Sequence, residues 1–209
     1  MRTEFKPYEP PNDSEIEQMW HELEIEYTPI NHPAIERVVE LLRLTHCNGD
    51  AQFASFHVKH HPALEWFTSR NRILIDSMPP VNTIDFFSRF LTLPAARAAL
   101  PMMKIGERLQ SDLDLEWVSP FVLDGQIAET LRYGGMLQNR NLTGAQCKEI
   151  AKDFCDALYG DRYDEVLIYS TFTQWSPWFK PPLELWDCTW FCFDNSLSLC
   201  WLLAVTGQD

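Results

Sequence analysis

Trp186-Asp187-Cys188-Thr189-Trp190-Phe191-Cys192-Phe193, then Asp194-Asn195-Ser196, then Leu197-Ser198-Leu199-Cys200-Trp201-Leu202-Leu203-Ala204-Val205: this stretch near the end of the 209-residue chain decides the fold. Aromatic residues suit pleated, packed surfaces. The apolar content from Trp186 to Phe193 is too continuous for a strand with one face in water, so it reads as a strand covered on both faces. Asp194-Asn195-Ser196 is turn chemistry, because short polar side chains bond their own backbone. Leu197 to Val205 then returns as the partner strand. A hairpin this apolar needs helices packed on it.

Working upstream, Val166-Leu167-Ile168-Tyr169 is a third strand. Before it, Thr143 and Gln146 form a capping box. That box opens a helix whose stripe is Cys147, Ile150, Ala151, Phe154, Cys155 and Leu158, with Gly160 placed to end it. Ser119-Pro120 predicts the start of another helix, facing inward with Leu123, Ile127, Ala128 and Leu131 and ending at Gly134-Gly135. Further back, Thr83 predicts an N-cap for a helix over 84–93 carrying Phe86, Phe87, Phe90 and Leu91. Pro94 and Pro101 divide residues 94–110 into short pieces.

In the first sixty residues, Ser14 and Glu17 read as a capping box, opening a helix with Ile16, Met19, Trp20, Leu23 and Tyr27 on one face. His32-Pro33 opens a second, with Ile35, Val38, Val39 and Leu42 inward and Asn48-Gly49 at its end. Residues 53–58 and 72–76 read as short strands. The expected fold is α+β: an extended lead-in over 1–12, a mostly helical part over 13–160, and a strand-rich part over 161–209 with an antiparallel sheet of three or more strands. One compact domain fits this length, and burial of roughly 70% of the unfolded surface needs no staple.

Charge narrows the function classes. The net charge is −13, with eight acids against two bases in residues 1–30 and fifteen against six in residues 111–209. Direct nucleic-acid binding wants the opposite sign. The chain lacks a run of 18 apolar residues and an apolar N-terminal leader, so membrane insertion and secretion are not expected. The six cysteines form no C-x-x-C pair and are expected to be reduced core residues in a cytoplasm.

Catalytic signatures are thin. There is no G-x-S-x-G, no G-x-G-x-x-G and no Walker loop. His46-Cys47 is adjacent in sequence only, whereas a nucleophile needs a base near it in space. His57, His60 and His61 are the one run with metal-ligand chemistry, and a metal-dependent enzyme using them is the rival reading, with a regulatory or structural subunit as the third. His57 and His61 would share a face only on a helix, which Pro62 argues against. No cofactor is expected.

Binding signatures are stronger. Ser111 to Trp117 alternates strictly, with Asp112, Asp114 and Glu116 on one side and Leu113, Leu115 and Trp117 on the other. As an exposed strand or extended loop this spaces the acids about 6.6–6.8 Å apart. They are the first choice for a partner-binding surface. Glu22 and Glu26, from an acid-rich stretch with no Lys or Arg between Asp13 and Glu26, are the second. Trp175-Ser176-Pro177-Trp178-Phe179 cannot be regular structure. Its aromatics either plug the core or lie exposed as anchors. Trp175 and Trp178 are candidate anchors on the second reading.

The pattern W-S-P-W-F at 175–179, W-D-x-T-W at 186–190 and the apolar strand after it resembles bacterial proteins of unassigned function, some of which are similar to immunity proteins of polymorphic toxin systems. The likeness covers roughly residues 125–209 and departs at the ending Thr206-Gly207-Gln208-Asp209. It implies a toxin partner with a basic surface, inhibited by occlusion of its active site.

Overall fold

The computed structural model describes residues 10–46, 48–69, 80–134, 141–179 and 187–207. The strand expected at 72–76 lies outside them, as does Cys47. Six strands form one antiparallel sheet: β1 (Ile25–Tyr27), β2 (Asp50–Val58), β3 (Glu116–Val118), β4 (Val166–Thr171), β5 (Cys188–Asp194) and β6 (Leu199–Thr206). Their order across the sheet is β1-β2-β6-β5-β4-β3. Seven α-helices are described: α1 (Asp13–Glu22), α2 (Pro33–Thr45), α3 (Pro62–Thr68), α4 (Phe86–Thr92), α5 (Pro94–Ala99), α6 (Leu123–Tyr133) and α7 (Gly144–Leu158). The fold is α+β, as the sequence predicts.

The closing hairpin is the centre of this sheet. Every residue of β5 and β6 is buried. Their pairing runs from Cys188 opposite Val205 to Asp194 opposite Leu199. Ser198 turns at φ 49°, within the polar link. The sheet divides two cores. On one side Phe56, Tyr169, Phe191, Phe193 and Leu202 meet Met19 and Trp20 of α1 and Phe86, Phe87 and Phe90 of α4. On the other, Trp190, Cys192, Trp201 and Leu203 meet Val38 and Leu42 of α2, Ile127 and Leu131 of α6, and Phe154 of α7. α7 therefore covers the sheet, with the Phe154 ring edge-on to Trp201 at 6.1 Å.

Two buried carboxylates lock the hairpin. Asp187, fully buried, accepts from Thr206 Oγ1 at 2.7 Å, Gly207 N at 3.3 Å and Gln174 Nε2 at 2.6 Å, so its desolvation is offset by donors. Asp194 pairs with Arg162 Nε at 2.9 Å and accepts from Ser196 Oγ and Leu197 N. Gly49 is required by packing: a Cβ there would lie 1.8 Å from the Thr206 carbonyl oxygen.

Several boundaries differ from the sequence reading. β4, β5 and β6 are consecutive neighbours, but the sheet also draws β1, β2 and β3 from the part read as helical. α1 stops at Glu22, and Ile25–Tyr27 is an edge strand, because Glu22-Leu23-Glu24-Ile25-Glu26-Tyr27 alternates with the strand period of two. The α1 cap is Asn12 with Glu15, not Ser14 with Glu17; Glu15 accepts from the Asn12 N–H at 2.9 Å. α6 begins at Leu123, one turn later than Ser119-Pro120 suggests, and the Pro120 carbonyl instead accepts from the buried Tyr159 hydroxyl. Thr83 does not cap α4: a 3-10 turn over Pro80–Ile84 precedes it, and Asp85 at φ 49° is its first boundary residue. The Thr143–Gln146 capping box and Gly160 at φ 50° stand where the sequence places them.

Candidate partner-binding edge

The β3 edge is built by a change of regularity. Residues 111–115 run without helix or strand, and the chain joins the sheet only at Glu116–Val118, beside β4. Two backbone bonds hold the approach: Gln110 N–H to the Trp175 carbonyl at 2.9 Å, and Asp114 N–H to Thr173 Oγ1 at 3.3 Å. Leu113 and Leu115 are half-buried against the core that contains Trp175. Asp112, Asp114 and Glu116 are left exposed, and none of the three has an ion-pair partner among the described residues. Trp117 is not buried with Leu113 and Leu115; on this edge strand it is 53% exposed. Phe172, just past the end of β4, is 60% exposed. Asp114, Glu116, Phe172 and Gln174 line a cleft of about 360 Å³.

Most of the other acidic patch is partnered. Glu24 pairs with Lys59 at 2.8 Å, Glu22 lies 3.4 Å from His61 Nε2, and Glu17 takes both Arg89 nitrogens at 2.7 and 3.1 Å. The hydrogen bond from Arg89 holds the Glu17 carboxyl below the usual carboxylate range. Lys59, just past β2, and Arg89 of α4 thus supply cations absent from the local sequence, and His61 at the start of α3 supplies an imidazole. Glu26 is exposed on β1, opposite His57 on β2.

The histidines do not converge. His57 is exposed on β2, His60 bonds Glu65 at 2.9 Å, and His61 caps α3 by accepting from Ala63 N–H at 3.2 Å. Among the described residues no group of three or more His, Cys, Asp or Glu is arranged to hold an ion. His60, His61 and Glu22 do share a broad cleft of about 750 Å³ between α1 and α3.

The aromatic loop is a plug. Trp175 is fully buried, its indole N–H donates to Thr189 Oγ1 at 3.0 Å, and its ring meets Phe179 at 5.2 Å. Trp178 is buried beside it. Of the two readings of this loop, the geometry is that of the core plug and Trp175 and Trp178 are not exposed as anchors; the Thr189 hydroxyl satisfies the one polar group of Trp175.

The described thiols are unsuited to nucleophilic work. Cys147, Cys155, Cys188, Cys192 and Cys200 are free and buried, and burial pushes the Cys155 thiol up to about 12. Neutral thiols are poor nucleophiles. His46 is also buried, and burial lowers its pKa; its Nδ1 contacts the Leu42 carbonyl at 2.9 Å.

No family model, curated protein or solved structure matches this chain. No helix among the described residues is long and apolar enough to cross a membrane.

Proposed function

We propose that this chain is a binding protein for a protein partner with a basic surface, most concretely a cytoplasmic bacterial immunity protein that occludes the active site of a cognate toxin. One observation carries the reading. Three exposed carboxylates without cation partners among the described residues stand along the β3 edge, beside exposed Trp117 and Phe172. Unpaired like charges held close together are unfavourable within the chain alone. They become favourable against Lys and Arg lining a cleft, where complementary potentials speed association. The absence of a thiolate-stabilising site among the described cysteines and the dispersed histidines weigh against an enzyme. The C-terminal resemblance supplies the toxin partner.

Co-expression with each protein encoded beside this one in its genome tests the proposal. A neighbour should arrest growth, the wild-type chain should relieve the arrest, and the combined variant Asp112→Asn, Asp114→Asn, Glu116→Gln should relieve it less. Relief by the variant equal to wild type would move the interface away from β3. Stoichiometric zinc or iron in the purified protein, with no growth-arresting neighbour, would favour the metal enzyme instead.

A further inference from the structure

On one face of the sheet, Glu116, Ser170 and Trp190 form a row across β3, β4 and β5, since Glu116 is opposite Ser170 and Ser170 is opposite Trp190. Directly opposed residues on antiparallel strands place their Cβ atoms about 4.5–5.5 Å apart. The C-terminal half of α6 lies over this row and leaves a pocket of about 420 Å³. Its walls include Tyr133, Phe172 and Trp190, and its polar groups include Gln126, Glu129 and Ser170.

Each polar group is informative. Trp190 donates its indole N–H to Gln126 Oε1 at 3.0 Å, which fixes the amide and ties helix to sheet. Ser170 is only 3% exposed, yet its hydroxyl has no hydrogen-bond partner among the described residues. The hydroxyl lines the pocket, so it is free to hydrogen-bond to whatever enters there. Glu129 is exposed and has no ion-pair partner among the described residues. The pocket also sits at the C-terminal, electronegative end of α6. Arg132, in that last turn, already places its guanidinium over the Tyr133 ring at 5.4 Å, so one face of this ring holds a cation within the chain.

From this geometry we infer that the α6–β4 pocket seats the guanidinium of an arginine from the partner protein. Tyr133 and Phe172 offer aromatic faces, Glu129 offers charge, and the Ser170 hydroxyl accepts an N–H; Glu116 adds charge from the neighbouring cleft. Cations are attracted to aromatic faces, and the planar guanidinium stacks on them better than an ammonium does. Phe172 lines both this pocket and the cleft of Asp114 and Glu116, so the two are neighbours. The inference rests on the proposed basic partner and adds the anchor that Trp175 and Trp178 do not supply.

The test uses the full chain labelled with ¹⁵N and N-acetyl-arginine amide as probe, with N-acetyl-citrulline amide as its uncharged isostere. The Trp190 indole and Gln126 amide resonances should shift with the arginine compound and not with citrulline. Glu129→Gln, at an exposed position that leaves the fold alone, should weaken the arginine response by about fivefold, the scale of one exposed ion pair. Glu24→Gln, beside β1 at the opposite edge of the sheet, leaves both the pocket and the acidic cleft intact and should retain the response. Equal shifts with citrulline, or an unchanged response in Glu129→Gln, overturn the inference. An arginine response that fails while the salt-dependent association with a partner persists removes the pocket and leaves the acidic edge standing. Loss of that association in the wild-type chain removes the binding-protein reading itself.

Discussion

The two edges of the sheet are alike in length and unlike in charge balance. β1 and β3 are both three-residue strands flanked by acids, and short charged edges resist unwanted pairing. At β1 most of the acids are answered from within the chain, Glu24 by Lys59, Glu22 by the His61 imidazole, and Glu17 on the adjoining helix by Arg89, while Glu26 has no ion-pair partner among the described residues. At β3, Asp112, Asp114 and Glu116 are left unanswered among the described residues. An acidic run in a sequence therefore does not by itself mark a binding surface. Only the fold tells which acids have already been neutralised by distant cations.

The sharpest way to break this comparison is to remove what holds β3 in place. Trp175→Ala should cost about 3–5 kcal/mol, the range for emptying a large aromatic site. The Trp175 carbonyl also carries the Gln110 N–H, so the 110–114 segment should loosen with it. Urea unfolding measures the first effect and amide exchange the second. A cost below about 1 kcal/mol, the scale of an ordinary surface substitution, would contradict the buried plug.

Next comes Arg162→Ala, which should cost about 3 kcal/mol by leaving Asp194 buried beside an absent cation. The same urea midpoints would check it. Replacing Lys59, whose pair at β1 is exposed on both sides, should cost no more than about 1 kcal/mol. A large loss there would mean that the β1 edge is structural in a way its exposure does not suggest.

The pH dependence should carry the signature of the buried core. The Cys155 thiol rises from 9.0 to about 12 on folding, because burial disfavours the thiolate. Between those values the unfolded chain releases a proton that the folded chain keeps. Stability is therefore full below about pH 9 and falls as pH rises toward 12. Burial lowers the His46 pKa, so its contribution is full above the ordinary 6.5 and is lost as pH falls. Unfolding midpoints at several pH values should decline on both flanks. A flat alkaline flank would contradict burial of Cys155.

Much of the fold was legible because its signals were local. The β5–β6 hairpin, α7 with its capping box, and the helices divided by Pro94 and Pro101 each arise from a few neighbouring residues. β1 was hidden because Met19, Trp20, Leu23 and Tyr27 fit a helical period while Glu22 to Tyr27 also fit a strand. β2 read as a short strand over 53–58, although it extends through nine residues and pairs with β6 at the middle of the sheet. Of the candidate site, the acids of 112–116 were readable from alternation. The pocket was not: Gln126 and Glu129 come from α6, Ser170 from β4 and Trp190 from β5, and no spacing in the sequence joins them. Trp175 misled for the opposite reason, since a proline-broken aromatic loop looks the same whether it covers a core or meets a partner.

The central claim is that the β3 acids face outward to a basic partner and the β1 acids do not. Association kinetics with that partner, at low and high salt, test it most directly. Two variants are compared with wild type: Asp112→Asn, Asp114→Asn, Glu116→Gln at one edge, and Glu22→Gln, Glu24→Gln, Glu26→Gln at the other. The first should slow association and flatten its salt dependence, with the second close to wild type. An unchanged rate in the β3 variant, with a slowed rate in the β1 variant, would contradict the account.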